Sequence, residues 1–208
     1  MSEYAPQVDS SHYSRGVYRA KERWVSYWHQ LDLVRRANPR SVLEIGPGLG
    51  IVTDALRKDG IEVITCDIAV DLKPDVVGSV TALPFRDAQF DLALAAEILE
   101  HIRWEDVPVS LGELARVAGQ TVVISLPHPG YVFLFACKLP LLPRFEWSFQ
   151  IPFFWKEHTF NGEHYWELGK QGYSVERFVT AAKAAGLQLV STHKYADDPV
   201  HQLFVFSK

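Results

Sequence analysis

The residues with the clearest chemical meaning are the glycines of Glu44-Ile45-Gly46-Pro47-Gly48-Leu49-Gly50. Glycines at every second position after an apolar run let backbone approach a ligand with no Cβ in the way. A pyrophosphate-binding turn would place its third glycine at position 51, which is Ile51. The spacing present suits a nucleoside ligand without phosphates, and it argues against a nicotinamide-dependent oxidoreductase. Asp67 stands 19 residues after Gly48, at the end of the next apolar run. A carboxylate there can accept hydrogen bonds from both hydroxyls of a ribose.

These residues need elements to hold them. Val17, Trp24, Tyr27, Trp28, Leu31 and Val34 recur at helical spacing, which predicts a helix over 13–37 stopped by Asn38-Pro39. Short apolar runs predict strands over 41–46, 61–66, 75–77, 90–95 and 121–126. Helices are predicted over 50–59 and 105–117. A further helix over 174–185 has Ser174 as N-cap and Gly186 just past its end. Strands over 187–195 and 202–206 are joined by Ala196-Asp197-Asp198-Pro199, too short for a crossover, so they must pair antiparallel. The expected fold is α/β: a Rossmann-like, seven-stranded, mostly parallel sheet with an antiparallel last strand and helices on both faces.

Composition narrows the class. The chain has 208 residues, 21 Lys plus Arg against 25 Asp plus Glu, and a net charge of −4. That length predicts one domain able to bury a full core, and the mild acidity disfavours nucleic-acid partners. No apolar run reaches 18 residues, and Met1 to Gly16 lacks an apolar targeting core, so a cytoplasmic protein is expected. Cys66 and Cys137 are too few for a disulfide framework or a structural zinc site and are expected to be packing residues. Of 26 aromatic residues, 13 lie between Tyr131 and Tyr173. This segment, 130–172, is too long for a simple loop and predicts an aromatic-rich cap inserted after the fifth strand.

In order along the chain, Glu-Ile-Gly-Pro-Gly-Leu-Gly, Asp67, Leu83-Pro84-Phe85, Phe90-Asp91 and Ile98-Leu99-Glu100-His101-Ile102 resemble the class I S-adenosylmethionine-dependent methyltransferases, in their small-molecule "type 11" branch. The resemblance covers residues 40 to about 127 closely and the rest by topology. It implies a methyltransferase with S-adenosyl-L-methionine as cofactor and S-adenosyl-L-homocysteine as product. Backbone at Gly46, Gly48 and Gly50 would meet the methionine part, with Glu44 holding the loop. Asp67 would bind the ribose and Ile68 would pack on adenine. The family usually has Asp at position 79; here it is Ser79, so one adenine contact is weakened while the Val80 backbone can still read the ring edge. Ala96 and Glu97 would cover the sulfonium end. Tyr27 and Trp28 resemble the element that lids the cofactor, with core packing as the alternative. The chain divides into an N-terminal helical lid (1–39), a cofactor-binding core (40–129), the cap (130–172) and a C-terminal helix and hairpin (173–208).

Methyl transfer from a sulfonium rests mostly on alignment, and a hydroxyl acceptor also needs a base. His128 follows the fifth strand, and His158 and His164 lie in a run dense in Glu and aromatics; these three are the candidate acceptor-site bases, weighed against a turn histidine and a polar staple. Their spacing matches no standard metal site, so no metal is expected. His101 reads as a helix-start residue rather than a catalyst. The expected acceptor is a small or lipid-like molecule methylated on O or N, held beneath the cap, with an interfacial membrane contact as the other use of that segment. The rival from a different class is a non-catalytic adenosine-binding or partner-binding module, which Ser79 favours. Nothing in the sequence fixes an oligomeric state.

Overall fold

A computed structural model describes residues 20–143 and 145–208. The elements run α1 (Lys21–Ala37), β1 (Ser41–Ile45), α2 (Ile51–Lys58), β2 (Glu62–Asp67), β3 (Val76–Val77), β4 (Phe90–Ala96), α3 (Val107–Val117), β5 (Ala118–Pro127), β6 (Gly130–Cys137), β7 (Phe145–Pro152), α4 (Val175–Ala184), β8 (Gln188–Tyr195) and β9 (Asp198–Ser207). Seven strands form one sheet in the order β3-β2-β1-β4-β5-β9-β8. Strands β1 to β5 pair parallel, and β9 runs antiparallel between β5 and β8. The order reverses between β1 and β4, and ligands of open α/β sheets bind at the carboxyl ends of such strands.

The central strands are near-continuous apolar runs because both faces are covered. Leu43, Ala93, Ala95, Val122, Ile124, Phe204 and Phe206 pack with Leu111 and Leu114 of α3 and Phe178 of α4. The alternate residues Val42, Leu92, Leu94, Val123 and Leu203 pack with Leu31 and Val34 of α1 and Val52 and Leu56 of α2. Ser174 caps α4 by accepting the Arg177 amide at 3.1 Å, and Gly186 follows with φ 91°, as its spacing predicts. The β8–β9 turn is tighter than expected: Tyr195 pairs with Asp198, leaving only Ala196 and Asp197 between the strands.

Two expectations change. The predicted start of the first helix, Tyr13 to Arg19 with Val17, lies outside the described residues. Within α1, Trp24 and Trp28 are 54% and 56% exposed, whereas Ser26, His29 and Gln30 are buried. The inward face is decided by what it meets: His29 stacks on Tyr195 at 3.5 Å between ring centroids and bonds Asp197 at 2.9 Å.

The aromatic segment divides in two. Residues 130–152 form a separate two-stranded ribbon, β6 with β7. Period-2 alternation puts Tyr131, Phe133, Phe135, Phe145, Trp147 and Phe149 on one face, all exposed. Residues 163–173 return to the core. Trp166 is fully buried, edge-on to Trp104, and its indole N–H donates to the Leu99 carbonyl at 3.1 Å.

Candidate active site

The glycine turn forms as its residues dictate. Gly46, Gly48 and Gly50 have φ of 68°, 54° and 72°, a region that side chains disfavour. Gly46 has a second constraint: a Cβ there would stand 2.0 Å from Ile98 Cδ1, so the Ile98 side chain fills the space that a side chain at 46 would need. Glu44 lies beneath the turn, buried, and accepts a hydrogen bond from the Thr53 hydroxyl of α2. Burial pushes its carboxyl up to about 7, against that hydrogen bond. Its contact is therefore with the helix that follows the turn.

Asp67 closes the other side. Its Oδ1 accepts the Ala69 amide at 2.8 Å, and its Oδ2 lies 4.0 Å from where a Gly46 Cβ would be. Burial raises its pKa, with the Ala69 and Ile68 amides acting in the opposite direction. Ile68, Ala96 and Glu97 are half-buried at or just past the ends of β2 and β4. Ser79 is buried, with its hydroxyl 2.8 Å from Thr81 Oγ1, and Val80 behind it belongs to the core. Tyr27 packs on the α1–α2 face of the sheet, while Trp28 is exposed and meets His29 edge-on. Cys66 is buried with its thiol pushed up to about 12, chiefly by burial, which fits the packing role expected of it.

Glu97 follows β4 with φ 56°, unusual for a residue with a side chain. Ser125 Oγ donates to its Oε1 at 2.6 Å, and His201 Nε2 lies 3.5 Å from its Oε2. His201 also bonds Asp198 at 2.6 Å; burial works against its charge, yet Glu97 and Asp198 raise its pKa. The side chain of Glu97 is thus anchored across the ends of β5 and β9.

The three candidate histidines fall into two networks. His128 is buried at the end of β5, its Nδ1 3.0 Å from Lys194 Nζ and 3.2 Å from Gln202 Oε1. Its Nε2 has no hydrogen-bond partner, and the ring packs on Gly169, where a Cβ would stand 2.4 Å from Nε2. Burial, then Lys194, lowers it to about 4. His158 and His164 come together elsewhere: His158 Nε2 donates to the His164 carbonyl at 2.9 Å. His164 Nδ1 donates to Glu167 at 3.0 Å, and Lys170 reaches Glu167 at 2.8 Å. Burial opposes the Glu167 charge, but His164 and Lys170 outweigh it and hold the carboxyl at about 2.

Comparison with known proteins agrees with this arrangement. Residues 43–124 match the family model described as "Methyltransferase domain". A curated demethylmenaquinone methyltransferase of Beutenbergia cavernae is 29% identical over 112 residues, 48% of this chain. The chain spans about half the length of that relative, 46%. Among solved structures, the 1,6-didemethyltoxoflavin-N1-methyltransferase of Burkholderia thailandensis superposes with a TM-score of 0.62 at 14% identity, covering 96% of this chain and 86% of that one. A TehB-like methyltransferase of Corynebacterium glutamicum gives 0.58 at 17% identity, covering 96% and 97%. The fold shared with these structures thus extends beyond the matched stretch, through α4 and the β8–β9 hairpin.

The matched stretch ends at residue 124, before the ribbon and the histidine-rich stretch. Sequence reasoning gave Glu100 no role. In the structure it is fully buried beside His101, with neither carboxylate oxygen hydrogen-bonded. The signal was present: a carboxylate enclosed by Ile98, Leu99 and Ile102.

Proposed function

We propose that the chain is an S-adenosylmethionine-dependent methyltransferase that methylates an O or N atom of a small, apolar or lipid-like molecule. The observation that carries the reading is Gly46 beside the switch point, set between Asp67 at the end of β2 and Ile98 past the end of β4, where a Cβ would collide with Ile98. Such a cradle fits the cofactor. The backbone of the 46–50 turn would meet its amino-acid end, with Glu44 bracing the turn through Thr53. Asp67 would accept the ribose hydroxyls. Ile68, Ser79 and Val80 would border the adenine, and Ala96 and Glu97 the sulfonium end. Tyr27 and Trp28 on α1 would close over it. The cofactor supplies a methyl group already activated on sulfur. The protein's share is alignment and exclusion of water.

Support for a small acceptor comes from the Burkholderia thailandensis neighbour, whose structure holds 1,6-didemethyltoxoflavin and S-adenosylhomocysteine. Support for an apolar one is the aromatic ribbon of 130–152, at the edge where strands deliver their ligands. His128, neutral above about pH 4, and His164 are the candidate proton acceptors of this reading, whereas His158 has both ring nitrogens engaged, by the His164 carbonyl and by Lys170. No helix of the described residues is long and apolar enough to cross a membrane, and a cytoplasmic location belongs to the same proposal. A second reading, a non-catalytic adenosine-binding module, is favoured by Ser79, whose hydroxyl is already engaged by Thr81.

Calorimetry with S-adenosylhomocysteine tests the cofactor site. Asp67→Asn keeps an acceptor for the Ala69 amide but replaces two charge-assisted hydrogen bonds with neutral ones. That difference is about 2–3 kcal/mol, or roughly 30- to 150-fold in affinity. Equal affinity of wild type and variant, or no binding by wild type at 1 mM ligand, overturns the reading. Binding without turnover across a broad acceptor screen favours the second.

A further inference from the structure

Three side chains outside the glycine cradle converge just past β4. Glu100, His101 and His164 each bring one donor atom to within 4.8 Å of the other two. Glu100 is fully buried, and neither of its oxygens has a hydrogen-bond partner. A buried carboxylate left this way is costly unless a cation or a proton neutralises it.

The two imidazoles are arranged alike. His101 Nδ1 is 3.0 Å from the Glu163 carbonyl, and His164 Nδ1 is 3.0 Å from Glu167 Oε1. Both partners are acceptors only, so each ring carries its proton on Nδ1 and its lone pair on Nε2. His101 Nε2 stands 4.0 Å from Glu100 Oε1. Histidine ligands of metals characteristically give their other N–H to a carbonyl or a carboxylate, and here one ring does each. Lys170 fixes Glu167 in turn. The two segments that carry the set are clamped together: the Tyr165 amide donates to the Glu100 carbonyl at 2.8 Å, and Trp166 Nε1 donates to the Leu99 carbonyl. The side chains of His101 and His164 are 34% and 21% exposed, which leaves an ion a way in.

We propose that Glu100, His101 and His164 form a binding site for one divalent first-row transition cation. Two imidazoles and one carboxylate are the donor set such ions prefer over Mg²⁺ or Ca²⁺. Three protein ligands leave coordination positions open. The site lies beyond the carboxyl end of β4, on the acceptor side of the cradle. A cation there would take an oxygen of the acceptor and favour its deprotonation; that role rests on the methyl-transfer reading, whereas the binding does not.

The full chain, stripped with chelator and free of cofactor, is titrated with Zn²⁺ by calorimetry and with Co²⁺ by visible absorption. One equivalent of each is expected, with the Co²⁺ bands of a low-coordinate nitrogen–oxygen site. Glu100→Gln, which keeps the shape, and His164→Ala, at a part-exposed position, should each weaken Zn²⁺ binding at least about tenfold while circular dichroism stays native. No stoichiometric binding, selective binding of Mg²⁺, or wild-type Zn²⁺ affinity in both folded variants overturns the site. S-adenosylhomocysteine is titrated on the same samples. No metal binding by wild type with intact cofactor binding refutes this site alone, and the reverse refutes only the methyltransferase proposal.

Discussion

Replacing Glu44 by Gln should change how the protein's stability responds to pH. Glu44 is buried, and its carboxyl stands at about 7 against an ordinary value of 4.5. Between those values the native state holds a proton that the unfolded chain has released, so stability falls as pH rises through that window. The full span is about 3 kcal/mol at 1.36 kcal/mol per unit, and about 2–3 kcal/mol of it lies between pH 5 and pH 8. Gln keeps a carbonyl oxygen for the Thr53 hydroxyl and cannot ionise. The variant should therefore gain about 2–3 kcal/mol relative to wild type on going from pH 5 to pH 8. For a chain of this length that is about 5–10 °C in Tm. Other groups titrate in the same range: His201, raised, loses stability as pH rises, and His128, lowered to about 4, loses it as pH falls. Both are common to the two proteins and cancel in the difference. Thermal unfolding at half-unit steps between pH 5 and 8 provides the measurement. Parallel curves would refute the placement of an ionisable carboxylate in an apolar setting beneath the glycine turn.

Gly46→Ala should cost about 1–2 kcal/mol for its φ of 68° and, by displacing Ile98, weaken S-adenosylhomocysteine binding; a thermal-shift series with and without ligand reads both, and unchanged binding argues against backbone contact at this turn. Trp166→Ala should cost about 3–5 kcal/mol in urea unfolding, because the ring is fully buried. Trp155→Ala, in the same aromatic segment but exposed, should stay within about 0.5 kcal/mol, and similar losses for the two would contradict the division of that segment.

How much of this was legible in the chain depends on how far each residue's partners lie along it. The glycine turn, Asp67 and the Ser174 cap are local patterns, and each forms as read. The side of α1 that turns inward was not legible. The large apolar residues Trp24, Tyr27 and Trp28 set the pattern, but His29 gains its place from Tyr195 and Asp197, at the far end of the sequence. The pairing of His158 with His164 spans six residues and could be anticipated. The meeting of His164 with Glu100 spans 64, and only the fold brings it about. His128 likewise takes its low pKa partly from Lys194, a residue of β8. The aromatic excess was visible as a composition, whereas its split depends on which rings reach Trp104 and Phe178.

The β6–β7 ribbon has a geometric consequence. Gly130 pairs with Pro152, so the ribbon begins and ends at a single point, about 5 Å across. Everything between them could be lengthened, shortened or exchanged without altering the spacing of the strands on either side. The ribbon is therefore a detachable module: it can change in length and sequence while the strands beside the glycine turn keep their register.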